Sequence, residues 1–494
     1  MNILDRVIEA FSPRMAAARE RDRTVAMHYR ASRLGHRNEG IRASGADADL
    51  ASRDRRKISF YARDMIRNTP MASRIQDVIA GHVVGDGILP KLHLSSAVPA
   101  TVAKRLKARS LEVIEQHCDS VDIDRNGLLN LYGLQALAMN TIVDSGEVLI
   151  RRHRRLDKAQ TIPLEIEILE PDYIDESRYG VTPDGNEVRE GIEYDSNGDR
   201  VAYWLYMQHP GGEWRPGRNP MQTERVDAAD ILHVFRLDRP GQTRGISWLT
   251  KIAEKLLNAD DAENAHLMRQ KIAACFVAFH HMDMNGKERP ELGGTMQPGA
   301  IMQVGVGEEI TIADPPQVGD WSEFQKSVYR AAAMGVGLTY EALTGDLSGV
   351  NFSSARIGRL EMSRNISRWQ WLMLVPQMLN PLGRWIIEAW AEAEVPEFFE
   401  IPGAARFIWV PPHQVIVDPA REFQALREAV RSGFMSRQGV IRTLGVDPER
   451  LIEEQLQDKE IADRLGLPFD SDPRADVSRQ SSSFTETDKE YRNE

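Results

Sequence analysis

The chain has 494 residues, of which 42% are hydrophobic, and its formal net charge at pH 7 is −11. This length exceeds what one hydrophobic core supports, so we expect two to four structural units. Only Cys118 and Cys275 are present, which excludes a disulfide framework, and no apolar run is long enough to cross a bilayer. The acidic balance argues against tight wrapping around nucleic acid, because neutralising phosphates needs clustered Lys and Arg, although an acidic protein can still handle DNA that slides along it.

The N-terminal part is basic within this acidic chain. We interpret residues 1–50 as a short helix followed by a mobile arm. We interpret its positively charged side chains as a solvated or docking surface and not as a nucleic-acid-binding arm. They are Arg14, Arg19, Arg21, Arg23, Arg30, Arg53, Arg55, Arg56 and Lys57. Met1–Arg6 lacks the apolar stretch of a signal peptide, and the low cysteine content suggests a reducing compartment. Both observations predict a cytoplasmic origin.

Two helices and then a β-rich region are predicted next. Apolar residues at helical spacing run from about Arg53 to Val84, and Arg67–Pro70 separates two helices, because proline excludes the preceding residue from helical backbone angles. Residues 141–240 are typical of strands, which we place at Glu147–Ile150, Leu164–Leu169, Ile192–Tyr194, Val201–Tyr206 and Ile231–Phe235. The loop Arg239–Ser247 is predicted to end at a serine N-cap.

A helix, a hairpin and a second helix follow. The first helix is predicted from Trp248 to about Cys275, and its many alanines suit close packing in a bundle or ring. The second is predicted from Trp321 to Met334. Between them, Pro298–Val304 and Glu308–Ile312 are predicted to pair as a hairpin around the turn Gly305–Gly307.

The most informative segment is the polar, glycine-punctuated loop Gly345–Arg356, which leads into a long helix. This helix is predicted from about Ser354 to Glu394, and Pro376 and Pro381 should kink or split it. Its four tryptophans lie at helical spacing among apolar residues. They therefore favour core packing or subunit contact over stacking on bases.

The C-terminal part is predicted to be helical and then disordered. After the strand Phe407–Val410, amphipathic helices are expected at Glu422–Arg431, Ser436–Leu444 and Pro448–Leu465. From about Pro473 the composition turns polar and loses apolar periodicity, which is typical of a disordered tail.

No catalytic motif is evident in the sequence. The phosphate-binding pattern G-x-x-x-x-G-K-[ST] does not occur, so ATP hydrolysis has no recognisable site. His280–His281 has no ligand at zinc spacing and is interpreted as surface loop, and the carboxylates of Asp260–Glu263 are expected on a solvated helix face. His82 and His233 lie among apolar residues, which favours structural roles. We therefore predict no enzyme, no metal and no cofactor.

Several motifs occur in the order found in a known family. The sequence Asn-Phe-Ser-Ser-Ala-Arg at Asn351–Arg356 resembles the Asn-Tyr-Ser-Ser-Ala-Arg signature of the lambda-type bacteriophage portal proteins, with Phe352 in place of the tyrosine. The resemblance covers about residues 50–467. Its further motifs, in order, are Arg67–Pro70, Val83–Gly87, Leu237–Trp248, Gln297–Gly299, Gly307–Glu308, Gly337–Asp346 and Val417–Pro419. Each motif alone is weak, but the ordered set is specific.

The resemblance implies an α+β, ring-forming portal-protein fold with defined parts. They are an N-terminal arm at 1–50, a wing at 51–246 that starts helical and becomes β-rich, stem helix 1 at 247–275, a small β clip at 276–320, stem helix 2 at 321–336, a tunnel loop at 337–354, a long kinked wing helix and return strand at 355–418, an α-helical crown at 419–467 and a disordered tail at 468–494.

The resemblance also implies a function. Such a protein would form a dodecameric ring at one capsid vertex, the channel for packaging and ejecting double-stranded DNA. Its partners would be the terminase large subunit, the head–tail connector, and capsid and scaffold proteins, with no membrane involved. It would lie in the virion, and in the host cytoplasm during assembly. Force would come from the terminase.

The resemblance assigns two sets of contact residues. The tunnel loop would contact DNA without sequence specificity. Its contact residues would be Leu347, Ser348, Asn351, Phe352, Ser353, Ser354 and Arg356. Terminase and connector would meet the clip at Pro298, Gly299, Gly305, Gly307 and Glu308. For Arg356, a bond to a neighbouring subunit is at least as good an interpretation.

Two functions from other classes stay open. A metal-dependent hydrolase or nuclease in the β-rich middle would need a carboxylate cluster, for which Glu165, Glu167 and Glu170 are the candidates, and metal-dependent turnover would reveal it. A monomeric assembly scaffold or adaptor would bind protein only, and ring formation separates it from a portal protein.

Overall fold

The computed structural model describes residues 47–49, 54–155, 162–213, 219, 221–274, 278–281, 309–312, 321–395, 401, 403–412, 419–444, 446 and 448–466. The contacts divide the chain into two units, Met1–Ala51 and Ser52–Glu494, and the elements given below belong to the second. The predicted arm lies outside the described residues except for 47–49. The predicted tail lies wholly outside them, as does most of the predicted clip.

Two helices open the second unit, as predicted. Helix α1 (Arg55–Asn68) ends at Thr69, which has extended backbone angles, and α2 (Pro70–Val83) begins with the proline at its first position. Proline suits this position because its missing N–H has no helical partner there. Both helices pack against α4 (Leu131–Ser145), whose N-cap is Asn130.

Three elements between α2 and the sheets were not predicted. They are strand β1 (Leu89–Leu94), helix α3 (Ala100–Val113), which continues into the π-helical turn Ile114–Cys118, and α4. The region assigned to a β-rich wing is therefore helical over much of its first half. Helix α4 buries side chains on most of its circumference, so its sequence lacks the polar face that reveals an amphipathic helix.

A three-stranded antiparallel sheet lies between two apolar clusters. Its order is β3 (Leu164–Leu169), β2 (Glu147–Arg154), β9 (Ile231–Phe235). Successive side chains of a strand point to opposite faces. Accordingly Val148 and Ile150 enter the main core with the long helices, while Leu149 enters a second cluster with the neighbouring sheet. Both faces are buried, and the predicted strands are confirmed.

The neighbouring sheet is a five-stranded antiparallel meander. Its strands are β4 (Gly180–Val181), β5 (Glu187–Arg189), β6 (Ile192–Tyr194), β7 (Arg200–Tyr206) and β8 (Thr223–Asp227), in that order. The predicted hairpin of β6 and β7 is present. Its turn is held by the Asp195 carboxylate, which accepts hydrogen bonds from the backbone N–H groups of Asn197 and Asp199.

Two helices and a pair of short strands follow. Ser247 caps a 3-10 turn, Trp248–Lys251, so helix α5 (Ala253–Ala274) begins later than predicted. Helix α6 spans Trp321–Val336 and contacts α5, with the ring of His266 stacked on that of Trp321 at 4.5 Å between centroids.

The strands that follow α5 and precede α6 show that the prediction for His280–His281 was wrong. β10 (Ala278–His281) pairs antiparallel with β11 (Glu309–Ile312). His280–His281 therefore lies in a strand and not in a surface loop. The pairing joins the segment that leaves α5 to the segment that enters α6, a partner for 309–312 that the sequence did not indicate. The predicted partner, residues 298–304, lies outside the described residues.

The long helix is interrupted, as its prolines predicted. α8 (Phe352–Trp369) passes into a π-helical segment, Gln370–Leu379, and then into α9 (Asn380–Ala393). Pro376 lies within the π-helical segment, and Pro381 lies in the first turn of α9. The return strand β12 (Ala405–Val410) pairs antiparallel with β1, far away in sequence.

The tryptophans of this long helix mostly pack inside the molecule. Trp369, Trp385 and Trp390 are buried, whereas Trp371 is half-exposed. Core packing is thus confirmed for three of the four.

Three amphipathic helices end the described chain: α10 (Pro419–Arg431), α11 (Arg437–Thr443) and α12 (Pro448–Leu465), close to their predicted bounds. Helix α10 buries none of its side chains against the rest of the chain. None of the helices described is both long and apolar enough to span a membrane.

Candidate functional site

The predicted tunnel loop is anchored where it leaves α6. Gly337 has a positive φ of 80°, and the next residue, Leu338, donates its N–H to the carbonyl of Ala333 at 2.9 Å. The side-chain amide of Asn365, on α8, donates to the carbonyl of Gly337 at 3.1 Å. A Cβ at position 337 would also lie 3.3 Å from the ring of Trp369. The helix end is therefore held on α8.

The loop contains a helical turn that the sequence analysis did not place there. Helix α7 spans Tyr340–Thr344, and the Thr339 hydroxyl caps it by accepting the N–H of Ala342 at 3.2 Å. Gly345, with φ at 72°, ends it in the left-handed conformation. The irregular parts of the loop are thus residues 337–339 before this helix and Gly345–Asn351 after it.

A carboxylate organises the tip of the loop. Asp346 accepts hydrogen bonds from the N–H of Ser348 at 3.0 Å and from its hydroxyl at 2.6 Å. The hydroxyl of Tyr340 donates to the other oxygen at 3.0 Å. These bonds, the two from Ser348 first, lower the pKa of Asp346 to about 2. The tip therefore carries a fixed negative charge beside its polar groups.

A capping box closes the loop. The Asn351 side chain accepts the N–H of Ser354 at 2.9 Å, and the Ser354 hydroxyl accepts the N–H of Asn351 at 3.1 Å. This arrangement satisfies two backbone donors at the start of α8. The helix consequently begins at Phe352, two residues before its predicted start at about Ser354.

The predicted DNA-facing residues divide between loop and helix. Leu347, Ser348 and Asn351 lie in the exposed loop, whereas Ser354 and Arg356 are exposed in the first turns of α8. Phe352 and Ser353 also belong to α8, and their side chains lie outside the described part. The clip residues Pro298, Gly299, Gly305, Gly307 and Glu308 lie outside it as well. The loop offers hydroxyl, amide and backbone groups without an arrangement that would read bases.

An open cleft of about 430 Å³ lies beside the loop. Tyr340 and Asp346 form one wall, and α5 and α6 contribute others, with the junction of α1 and α2 at the side. Asp260 and Glu263 of α5 line it, together with Lys326 of α6. These carboxylates lie on an exposed helix face, as predicted.

A buried ion-pair network joins the β-rich part to the start of α5. The Arg244 guanidinium donates to the Glu147 carboxylate at 2.6 and 2.9 Å and to Glu176 at 3.0 Å. The N–H of Gly245 donates to Glu147 at 2.6 Å. Both charged side chains of the central pair are almost fully buried. Within the motif Leu237–Trp248, Arg244 and Gly245 belong to this network.

His233 completes the network from a neighbouring strand. Its Nε2 lies 2.9 Å from the Glu147 carboxylate, and its Nδ1 lies 3.4 Å from the Tyr203 hydroxyl. Burial lowers the pKa of His233 to about 4, against the opposing effect of Glu147. The ring is therefore neutral at pH 7, donates from Nε2 and accepts at Nδ1. The predicted structural role of His233 is confirmed.

Two glycines permit this close packing. A Cβ at Gly245 would lie 2.2 Å from the carbonyl oxygen of Gly146, and a Cβ at Gly146 would lie 2.2 Å from the backbone of Ile246. Gly146 also has a φ of 89°. Sequence reasoning identified the loop but not Arg244, because a charged residue in a polar loop gives no local sign of burial.

The carboxylates proposed for a hidden metal site have separate partners. Glu165 is fully buried and pairs with Arg125 at 3.1 Å and Arg155 at 3.3 Å. Glu167 lies 2.9 Å from Nε2 of His153. These two residues do not converge with Glu170 on a common point.

Among the residues described, one group of three has ligand atoms close enough for a metal: Glu170, Asp172 and His209. Arg63 lies against it, 2.5 Å from Asp172 and 3.7 Å from Glu170. The N–H of Gly211 donates to Nδ1 of His209 at 3.1 Å, so Nε2 bears the proton and donates to Glu170 at 3.0 Å. With its cation supplied by Arg63, the group is an ion-pair network.

The described parts of the chain combine two packed helices, a capped polar loop and a long bent helix. The chain belongs to the lambda family of phage portal proteins, whose family model matches residues 34–370. No catalytic family is indicated by its relatives.

Individual proteins are similar to this chain. The chain is 26% identical to the "Probable portal protein" of Halomonas phage phiHAP-1 over 86% of this chain and 85% of the relative. It is 20% identical to "Portal protein B" of Escherichia phage lambda over 80% of this chain and 82% of the relative. Among solved structures, the neck of an empty gene transfer agent (GTA) particle has a similar chain, with 17% identity, a TM-score of 0.47 and coverage of 80% of this chain and 94% of that one.

Proposed function

We propose that this portal protein assembles into a dodecameric ring at one capsid vertex and forms the channel through which double-stranded DNA is packaged and ejected. The terminase large subunit and the head–tail connector would dock on it, and capsid and scaffold proteins would guide its assembly. The protein would lie at the portal vertex of the virion and in the host cytoplasm during assembly.

The exposed loop Gly345–Asn351 carries this proposal. It starts at Gly345, which ends α7, and the neighbouring Asp346 is bonded to Tyr340; it finishes in the capping box of Asn351. Between these points it presents polar groups to solvent. A segment fixed at its ends and polar at its tip can touch phosphates without reading bases. The carboxylate of Asp346 opposes tight capture of DNA. We assign Leu347, Ser348, Asn351, Phe352, Ser353, Ser354 and Arg356 to this DNA-facing surface.

The far end of α5 and α6 is the proposed docking end. The strands β10 and β11 pair there, and residues 282–308 come between them in sequence. We assign the contacts with terminase and connector to this segment of the chain, at Pro298, Gly299, Gly305, Gly307 and Glu308.

The native mass of the purified protein, combined with negative-stain images, tests the proposal. Twelve copies of the 55.7 kDa chain give a ring of about 670 kDa with a central hole. A monomer that forms no ring even with scaffold and capsid protein present would contradict it and favour a protein-binding adaptor. Metal-dependent turnover of DNA by the purified chain would favour the hydrolase instead.

A further inference from the structure

One face of α8 is left without a partner in the chain. Ile357, Leu360, Arg364 and Arg368 follow one another at intervals of three or four residues and are exposed, and the exposed Trp371 comes next at the start of the π-helical segment. Residues so spaced share a helix face. We call these five residues the α8 stripe. At 1.5 Å per residue it extends over about 21 Å.

The α8 stripe combines large apolar side chains with positive charge. Ile357 is 69% exposed, Leu360 57% and Trp371 49%. Within the described residues neither Arg364 nor Arg368 has an ion-pair partner. The opposite face of the helix is the one that enters the core, through Met362 and Ile366. A contiguous exposed face of this kind marks a contact with another molecule.

A helix face of opposite charge lies on α5. Leu257, Asp260, Asp261, Asn264 and Met268 are exposed at the same helical spacing, and we call them the α5 stripe. Leu257 and Met268 at its ends are more than half exposed, and the two aspartates between them have no ion-pair partner among the described residues. Its length is about 16 Å at 1.5 Å per residue.

We propose that the α8 stripe of one subunit docks on the α5 stripe of the next subunit. This proposal rests on the proposed ring, and it names the surfaces that hold the ring together. In such a contact the arginines meet the aspartates, and the apolar residues at the ends of one stripe cover those of the other. Complementary charge of this kind also fixes the register of the two surfaces.

The charges disfavour contact of either stripe with its own copy, and in the proposed ring the contact between unlike stripes is head-to-tail. If two α8 stripes faced each other, Arg364 and Arg368 would meet like charges, and two α5 stripes would bring aspartates together. Only the pairing of one kind of stripe with the other removes this repulsion. A heterologous contact repeats from subunit to subunit and closes a ring when the rotation allows it.

DNA is a less suitable occupant of the α8 stripe than protein. Phosphates would satisfy the two arginines, but the DNA backbone offers no apolar surface to Ile357, Leu360 and Trp371. Interfaces between proteins bury such residues at their centres and favour aromatic side chains and arginine. We therefore place the stripe at a subunit contact, outside the DNA-facing loop.

Charge reversal in two separate variants tests the contact. Variant one carries Arg364→Glu and Arg368→Glu, and variant two carries Asp260→Lys and Asp261→Lys. Each alone places like charges across every contact, so the concentration for half-maximal association, measured by analytical ultracentrifugation, should rise at least about tenfold. Arg359→Glu is the matched control, because Arg359 is exposed on α8 but lies off the stripe, and it should associate as the wild type does.

Mixing the two variants gives the decisive result. In an alternating ring the glutamates of variant one meet the lysines of variant two, and the unchanged arginines of variant two meet the unchanged aspartates of variant one. Every contact is then restored, so the mixture should form closed assemblies that neither variant forms alone. Circular dichroism of each variant verifies that its fold is intact.

The outcomes separate this contact from the proposed ring. A wild-type ring that persists in both variants overturns the contact and leaves the ring standing. If the mixture of the two variants associates and neither variant does so alone, but no closed ring forms, the contact is supported and the proposed ring is contradicted. If variant one forms normal rings but retains duplex DNA less well in a salt-dependent manner, the stripe faces DNA and the contact is overturned.

Discussion

Glu147 keeps its charge although it is almost fully buried. Burial raises its pKa, but the charge of Arg244 and the hydrogen bond from His233 outweigh burial, and the pKa lies well below the usual range. A carboxylate in this position depends on its partners, because an uncompensated charge in the interior is strongly unfavourable.

Replacing Arg244 with methionine should therefore lower the free energy of unfolding by about 3–5 kcal/mol. The substitution leaves Glu147 charged and buried without its main partner. Urea denaturation followed by tryptophan fluorescence measures the loss. The double variant Arg244→Met with Glu147→Gln, which removes the stranded charge, should be more stable than the single variant. A double variant that is less stable would contradict this account.

Asp144 differs from Glu147 because its pKa is raised and not lowered. Burial, with help from Glu170 and Asp172, raises its pKa from an ordinary 3.8 to about 6, although Ser145 and Arg63 lower it. Between these values the folded protein binds the proton more tightly than the unfolded chain. Stability from this group is therefore present at low pH and is lost as pH rises through about 6.

Asp144→Asn should stabilise the protein at neutral pH, because an amide carries no charge to bury. The gain relative to wild type should be small near pH 4, grow up to pH 6 and then stay constant at up to about 3 kcal/mol. Unfolding free energies of both proteins at pH 4, 5, 6 and 8 give this profile. A gain that is the same at every pH would point to packing instead of titration.

At the scale of single residues, local signals were predictable and long-range ones were not. Ser247 was predicted as an N-cap and is one, because capping depends on residues next to it. Asn351 was assigned to DNA contact, and its side chain is also a cap. Arg244 gave no signal, since its partner Glu147 lies 97 residues away in sequence.

At the scale of elements, the start of α8 is where structure and proposed function overlap. Asn351→Ala removes the side-chain half of the capping box and should destabilise the helix end by about 1 kcal/mol. Because this end is exposed, the effect should be local. Amide hydrogen exchange should quicken at residues 353–355 and leave the core unchanged.

A matched variant separates the cap from contact with DNA. Asn351→Ser retains capping ability and should exchange nearly as slowly as wild type. If packaging of DNA into capsids fails with alanine but persists with serine, the cap is what packaging requires. If both variants fail equally, the amide itself touches DNA.

The elements differed in how well the sequence revealed them. The strands Leu164–Leu169 and Ile231–Phe235 were predicted at their observed bounds, because short apolar runs between polar turns leave few alternatives. Helix α4 was missed because burial on nearly all sides removes its amphipathic pattern. The pairing of β10 with β11 was missed because it depends on how α5 and α6 pack.

At the scale of the molecule, the order of the motifs was enough to indicate the family, which the comparison of residues 34–370 confirms. Short motifs constrain a family because many must occur together, even when none has a strong physical signal. The pairing of β1 with β12 joins residues about 300 positions apart, and no local pattern predicts it. The topology therefore came from the structure.

This pairing predicts how the chain responds to truncation from its C-terminus. Among the described residues, α10 buries none of its side chains, whereas β12 buries Phe407 and Trp409 in the main core. A chain that ends at Pro412 retains β12 and, among the described elements, loses the last three helices. Its midpoint of thermal unfolding, measured on dilute monomer, should stay within about 2 °C of the full chain, which corresponds to a change below about 1 kcal/mol.

A chain that ends at Val395 should behave differently, because β1 loses its partner and two buried aromatic side chains leave the core. The cost should be at least about 3–5 kcal/mol, the typical loss for removing one such side chain. The comparison of the two truncations isolates β12 from the helices that follow it. If both chains unfold at the temperature of the full chain, β12 contributes little to the core. If both are destabilised alike, the last three helices support the fold from outside it.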